Sequence, residues 1–205
     1  MALRRVQMAG ELEVTCLLTT VTERFRRVSM HGVREELLDA QVNSLGYSVE
    51  KVRIPYPCPN AAYEEIMRNT LTHWKATGVT HAVFGDLFLQ DIRRYREEKL
   101  AQLDIKPVFP LWLEDTAKLA REMIHDGFRA IVVCVDPKCL EASFAGRQFD
   151  ESFLNDLPPN VDPCGENGEF HTFVYDGPNF KKPIRVLPGE HVTRDGFHFA
   201  DLTLS

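Results

Sequence analysis

The chain has 205 residues, 44% of them apolar and 26% charged, the balance of a globular protein long enough to bury a core in one large domain or one domain with a small appendage. A formal charge of -6 argues against a nucleic-acid coat, which needs clustered lysine and arginine, and the basic spot from Arg24 to Arg27 reads as a solvated loop. Five cysteines without a close CxxC pair suggest neither a disulfide framework nor a zinc ribbon, no apolar run reaches the roughly 20 residues of a membrane helix, and Met1 to Arg5 lacks a signal-peptide core, so the expectation is a reduced, cytoplasmic protein.

Ala2, Leu3 and Val6 have helical spacing and Gly10 suits a C-cap, but no N-cap residue precedes them, so this helix reads as entered in its middle. Val14 to Thr20 is apolar and β-branched and predicts a buried strand. From His31 to Leu45 an apolar stripe of Val33, Leu37, Leu38, Val42 and Leu45 predicts an amphipathic helix, with Glu35 and Glu36 near its positive end and Gly46 as its stop. Val49 to Ile54 reads as a strand ended by Pro55-Tyr56-Pro57-Cys58-Pro59, after which Asn60 is expected to cap a helix through Trp74. A strand over Thr80 to Gly85, a helix from about Leu89 to Leu103 and a strand at Val108-Phe109 follow. Next come a helix from Asp115 or Thr116 to His125 and a buried strand over Ala130 to Val135.

This alternation predicts an α/β fold with a doubly wound, mostly parallel sheet and right-handed crossovers. After Asp136 the rhythm changes to one short helix over Asp150 to Leu157, then short strands from His171 through Pro183 and Val186 to Val192 and Phe199. The expected division is therefore an α/β domain over 1–136 and a smaller α+β region over 137–205.

In open parallel sheets ligands bind beyond the carboxyl ends of the strands, which puts Gly85 and Asp86 at a ligand edge; a helix-capping aspartate is the equal alternative. Arg93 and Glu97 are spaced as a helix-surface ion pair, but arginine N-terminal to glutamate is the weaker order and leaves Arg93 open to a phosphate or carboxylate. His31, before a glycine at a helix start, is a packing residue or a ligand contact, and Trp112 a core or pocket wall. The densest chemistry lies in Asp162-Pro163-Cys164-Gly165-Glu166-Asn167-Gly168-Glu169-Phe170-His171-Thr172. Gly165 and Gly168 can bring Glu166 and Glu169 around one small volume. An extended chain from Glu169 puts Glu169, His171 and Phe173 on one face and Phe170 and Thr172 on the other. The plain alternative is an Asn167-Gly168 hairpin turn with solvated charges. Cys164 beside His171 has the makings of an activated thiolate, although a small buried thiol is the commoner case, and no residues have the spacing of a metal centre.

The acidic block, with Asp176-Gly177-Pro178 after it, resembles the C-terminal signature of the diphthine ammonia ligase family, within the adenine-nucleotide alpha-hydrolase-like ATP pyrophosphatases. Ser29-Met30-His31-Gly32-Val33, Phe84-Gly85-Asp86 with Arg93 and Glu97, Pro110-Leu111-Trp112 and Gly146-Arg147 extend the resemblance along nearly the whole chain. It implies a nucleotide-binding hydrolase-like fold, with nucleotide on 1–136 and substrate on 137–205. It also implies an ATP-dependent, AMP-forming amide ligase that uses Mg2+ and ammonia, its acyl substrate being diphthine on the translation elongation factor. Neither membrane nor direct nucleic-acid contact is implied, and a homo-oligomer stays open. Glu166, Glu169 and His171 take the catalytic roles, and His31, Gly85, Asp86, Arg93, Gly165, Gly168 and Thr172 the nucleotide contacts. The family's glycine-rich Ser-Gly-Gly-Lys-Asp-Ser loop, and the strand before it, have no counterpart in this sequence. Weak ATP binding, no turnover by this chain alone and a gap in the sheet are therefore expected. The alternatives are a non-catalytic nucleotide-binding or regulatory homologue, or a truncated form of an ATP pyrophosphatase that acts on another carboxylate.

Overall fold

Six consecutive apolar residues, Ala130 to Val135, leave a strand no polar face to give to water, and in the computed structural model, which describes residues 1–205, all six are buried. The chain runs α1 (Ala2–Ala9), β1 (Leu17–Thr22), β2 (Arg27–Val28), α2 (Glu35–Leu45), β3 (Val49–Ile54), α3 (Asn60–Ala76), β4 (His81–Val83) and α4 (Gln90–Ala101). It continues through β5 (Lys106–Val108), α5 (Thr116–His125), β6 (Arg129–Val135), α6 (Glu151–Asp156), β7 (Phe170–Asp176), β8 (Val186–Arg194) and β9 (Phe197–Leu204). The α/β class follows, built on three sheets: β2-β1-β3, β4-β5 and β7-β6-β9-β8.

The parallel ladder exists in two separate pieces. β1 runs parallel to β3 from Leu17 opposite Val49 to Thr22 opposite Ile54, and β4 runs parallel to β5 over His81 to Val83. No strand joins the two pairs. β6, expected to continue the parallel sheet, is antiparallel to both β7 and β9. Its uninterrupted apolar run reports burial on two faces, and that condition does not distinguish strand direction. Most element limits follow their local signals: Asp115 and Asp150 cap α5 and α6 by accepting from the backbone N–H of Lys118 and Phe153. Asn60 is the first residue of α3 and not its cap, because the extended Pro59 takes that place.

Two apolar layers clasp the antiparallel sheet. On one face Ala130, Val132, Val135 and Phe170 pack with Ala120 of α5, Phe149 and Phe153 of α6. On the other, Ile131, Val133 and Phe173 pack with Val33, Leu37 of α2 and Leu202. α2 turns its neighbouring residues Leu38 and Val42 to Val21 of β1, so one helix serves two sheets. The junction is pinned by charge. Arg27 and Arg34, which flank the β2–α2 turn, reach the Asp201 carboxylate of β9 at 2.7 and 2.6 Å. Burial alone would raise the Asp201 carboxyl, and the two guanidiniums bring it down to about 2. Arg27 also donates to Gly32 O at 2.6 Å. The turn carrying His31 is thereby held against the sheet.

Phe153 is fully buried, edge-on to Phe170 with centroids 5.1 Å apart. Phe153→Ala is expected to cost about 3 to 5 kcal/mol in chemical denaturation. A loss below about 1 kcal/mol would show that the α6 side of the core has collapsed around the hole without penalty.

Candidate functional site

The acidic block folds into a loop held by its own carboxylates. Asp162 accepts from the backbone N–H of Cys164 and Glu166 at 3.1 and 3.0 Å. Glu169, only 4% exposed, accepts from Asp162 N, Asn167 N and Asn167 Nδ2 at 3.0, 3.0 and 2.9 Å. Burial pushes the Glu169 carboxyl up, but these donors outweigh it and hold it below its ordinary value. Gly165 at φ 69° and Gly168 at φ 85° occupy the left-handed region, and a Cβ on Gly165 would meet Phe170 O at 2.7 Å. The plain alternative, a hairpin turn with solvated charges, does not hold, since Glu169 is buried and Glu166 half-buried.

Glu166 points outward from this frame to another loop. Its Oε1 accepts from the Leu87 N–H at 2.7 Å, which joins the acidic loop to the segment between β4 and α4. Burial raises the Glu166 carboxyl, with the Leu87 and Phe88 N–H groups opposing. Asp86 therefore stands next to the contact, but its carboxylate is engaged in a bidentate pair with Arg96, at 2.6 and 3.1 Å. Arg96 was not singled out from sequence; its partner lies ten positions upstream, across a loop, where no helix-spacing rule reaches. Gly85 is not at positive φ, and a Cβ there would meet only Ala2 at 3.9 Å, so this glycine is not required by the backbone. Arg93 makes the default pair with Glu97 at 2.7 Å, and its guanidinium lies over the rings of Phe109 and Trp112 at 4.9 and 4.6 Å.

A second meeting point joins the two halves of the chain. His171 on β7 and His31 in the β2–α2 turn lie against each other with ring centroids 4.4 Å apart and planes tilted by 31°. Thr172 faces β6 opposite Val132. The period-two pattern holds, since Phe170 packs in one layer and Phe173 in the other. Burial lowers both imidazoles, His171 to about 4 with the charge of His31 adding to the effect. Both are neutral near pH 7. His31 Nδ1 donates to Ser29 O at 3.2 Å, which leaves Nε2 as an acceptor. Gly32 is required here, because a Cβ on it would stand 2.6 Å from the Phe199 ring.

Cys164 donates to Thr116 O at 3.3 Å, and burial pushes its thiol up to about 12, so it is a packed thiol and no nucleophile at neutral pH. No cluster of three His, Cys, Asp or Glu side chains could hold a metal ion.

A family model described as the diphthamide synthase C-terminal domain matches residues 115–201, the part of the chain that holds the acidic block. A diphthine–ammonia ligase from Danio rerio is 34% identical over 145 residues, 66% of this chain and 56% of that protein. The Bos taurus protein of that name is 36% identical over 118 residues, 55% of this chain and 44% of its own length. The Rattus norvegicus one is 31% identical over 161 residues, covering 76% and 60%. The chain is similar to these diphthine–ammonia ligases, and it spans about half the length of the curated relatives it matches.

Two outcomes check the geometry. Glu169→Ala removes a buried acceptor shared by three N–H donors and is expected to lower stability by about 1 to 3 kcal/mol, more than Glu166→Ala does, in urea titrations. Equal effects would refute the framing role of Glu169. The histidines set a pH dependence: the unfolded chain takes up protons near the ordinary 6.5, whereas folded His171 does so only near about 4. In between, the unfolded state binds more protons, so stability is full above the unfolded value and falls as pH drops from about 6.5 towards about 4, at up to ~1.4 kcal/mol per pH unit for one such group. His171→Gln should flatten that slope; an unchanged slope would show that the pair is not its source.

Proposed function

We propose that the protein acts in diphthamide biosynthesis as an ATP-dependent, AMP-forming carboxylate–ammonia ligase. The reaction joins the carboxylate of diphthine, on the translation elongation factor, to ATP at its α-phosphorus, releasing pyrophosphate; ammonia then attacks the acyl-adenylate and displaces AMP. The observation that carries the reading is the 2.7 Å bond from Leu87 N–H to Glu166, which brings the acidic loop to the carboxyl end of a parallel pair, where α/β sheets take ligands. The names of the relatives support the same chemistry.

In this reading Glu166 is the carboxylate that meets ammonium or the ribose, through the oxygen not bound to Leu87. Glu169 holds the loop in shape, with Gly165 and Gly168 as its hinges, and neutral His171 with His31 orients the acyl group by hydrogen bonding. Gly85, Asp86, Arg93 and Thr172 border the nucleotide, Asp86 through Arg96. The accompanying fold is a doubly wound hydrolase-like sheet, of which β1–β3 and β4–β5 are two parts with a gap between them. Residues 1–136 serve the nucleotide and 137–205 the substrate. We place the protein in the cytoplasm, and no helix is long and apolar enough to cross a membrane.

The donor set does not fit a metal held by the protein alone, since Glu169 is saturated by N–H donors and Glu166 has one oxygen engaged. No step is therefore assigned to Mg2+. Nor do these residues form a phosphate cradle, for Arg93 and Arg96 are both paired and no glycine-rich loop opens a helix. These observations favour, as the second reading, a nucleotide-binding homologue without catalysis.

Isothermal titration with ATP and a pyrophosphate-release assay distinguish the readings. The 205-residue chain should bind ATP weakly and release no pyrophosphate, whereas a chain supplied with a Ser-Gly-Gly-Lys-Asp-Ser loop should bind ATP tightly, release pyrophosphate and lose that release on Glu166→Gln. Robust AMP and pyrophosphate production by the 205-residue chain would overturn the claim that a phosphate loop is needed. Full activity in Glu166→Gln would remove Glu166 from the site.

A further inference from the structure

At the opposite end of β6 from His171 the antiparallel sheet forks. β6 pairs with β9 only at Cys134 opposite Phe199 and Val135 opposite His198. Towards its start, the same edge of β6 is taken by the segment from Gly146 to Phe149. Gly146 N donates to Val132 O at 2.7 Å, Val132 N to Arg147 O at 2.9 Å and Phe149 N to Ala130 O at 2.8 Å, with Ile131 opposite Gln148. In such an antiparallel register the backbone N–H and C=O of Gln148 point away from β6. On β9, Ser205 N donates to Arg185 O at 3.2 Å, and the alternation from that bond turns the backbone groups of Leu202 and Leu204 away from β8. Two strand edges thus face one slot, and no hydrogen bond joins them.

The slot is a wedge. It closes at Gly146, where a Cβ would stand 3.6 Å from Ala200, and it opens towards Arg129 and Ser205 into a cavity of about 620 Å3. That volume lies within the range of ligand sites. Its lining carries both signs of charge, and its two arginines are the charged members without a hydrogen-bonded partner. Asp201 is already neutralised by Arg27 and Arg34, and Asp176 accepts from the Gly177 N–H, while the exposed guanidiniums of Arg129 and Arg185 have no carboxylate partner. Gln148 is steadied by the Tyr175 hydroxyl, which donates to its Oε1 at 2.9 Å.

We propose that this slot takes a short extended peptide with acidic side chains, as an added strand between Gln148 and Leu202, its carboxylates meeting Arg129 and Arg185. Unpaired strand edges bind a chain through main-chain hydrogen bonds, and side-chain charge then selects which chain. Leu202 and Ile131 supply the apolar floor. The proposal is independent of the ligase reading, because the slot shares no residue with the acidic loop or the histidine pair.

Fluorescence anisotropy with the full 205-residue chain tests it, using labelled Val-Glu-Val-Glu-Val as the probe. Saturable binding is expected, weakened about tenfold or more by Arg129→Ala with Arg185→Ala, one tenfold step being about 1.4 kcal/mol. Circular dichroism of that variant should match the parent. The Val-Lys-Val-Lys-Val peptide, and the acidic peptide N-methylated along its backbone, should fail to bind. No binding of the acidic peptide up to millimolar concentration would overturn the proposal. So would equal binding of the lysine or N-methylated peptide, or unchanged affinity in a folded double variant.

Discussion

Burial of β6 on both faces is the constraint on which the remaining architecture rests. A strand that is apolar at every position from Ala130 to Val135 must be covered twice, and the chain supplies α5 and α6 on one side and α2 on the other. Since α2 also covers β1, the second cover couples the first parallel pair to the antiparallel sheet. The aromatic cluster around Phe153 completes the first cover, and the Arg27–Asp201–Arg34 clamp completes the second. Removal of one partner from such a clamp strands a charge that is already partly desolvated, which is why this junction is more than a surface ion pair.

Buried carboxylates do different work in different places. Glu35, 8% exposed, gathers Lys51 and Arg53 at 3.0 and 2.7 Å and ties α2 to β3. Asp201 ties α2 to β9. Glu169 meets no cation and is satisfied by amide N–H donors of its own loop, so it shapes backbone and does not neutralise charge. Glu166, in the same block, turns instead to the Leu87 N–H of another loop. Two carboxylates three residues apart therefore differ in what they hold, Glu169 its own loop and Glu166 a neighbouring one.

The family-model match and the geometry point to the same segments. The match to the diphthamide synthase C-terminal domain covers residues 115–201, which hold β6, β7, the acidic block and most of β9. His31 and Leu87 lie outside that span yet make contacts that bring the first part of the chain to the block.

The sequence by itself determined the elements whose signals are local. The apolar run of β6, the capping aspartates of α5 and α6, the glycines of the acidic loop and the i,i+4 pair of Arg93 and Glu97 were all legible, because each depends on neighbours within a turn. The same locality explains the Phe170 and Phe173 alternation. Only the tertiary structure decided the direction of β6, since an apolar run records burial and carries no information on pairing partners. It also decided that Asp86 belongs to Arg96, that Glu169 is buried while Glu166 reaches Leu87, and that His31 lies against His171, 140 positions apart in the sequence. Those contacts are set by which surfaces the core brings together, and no spacing rule along one strand or helix encodes them.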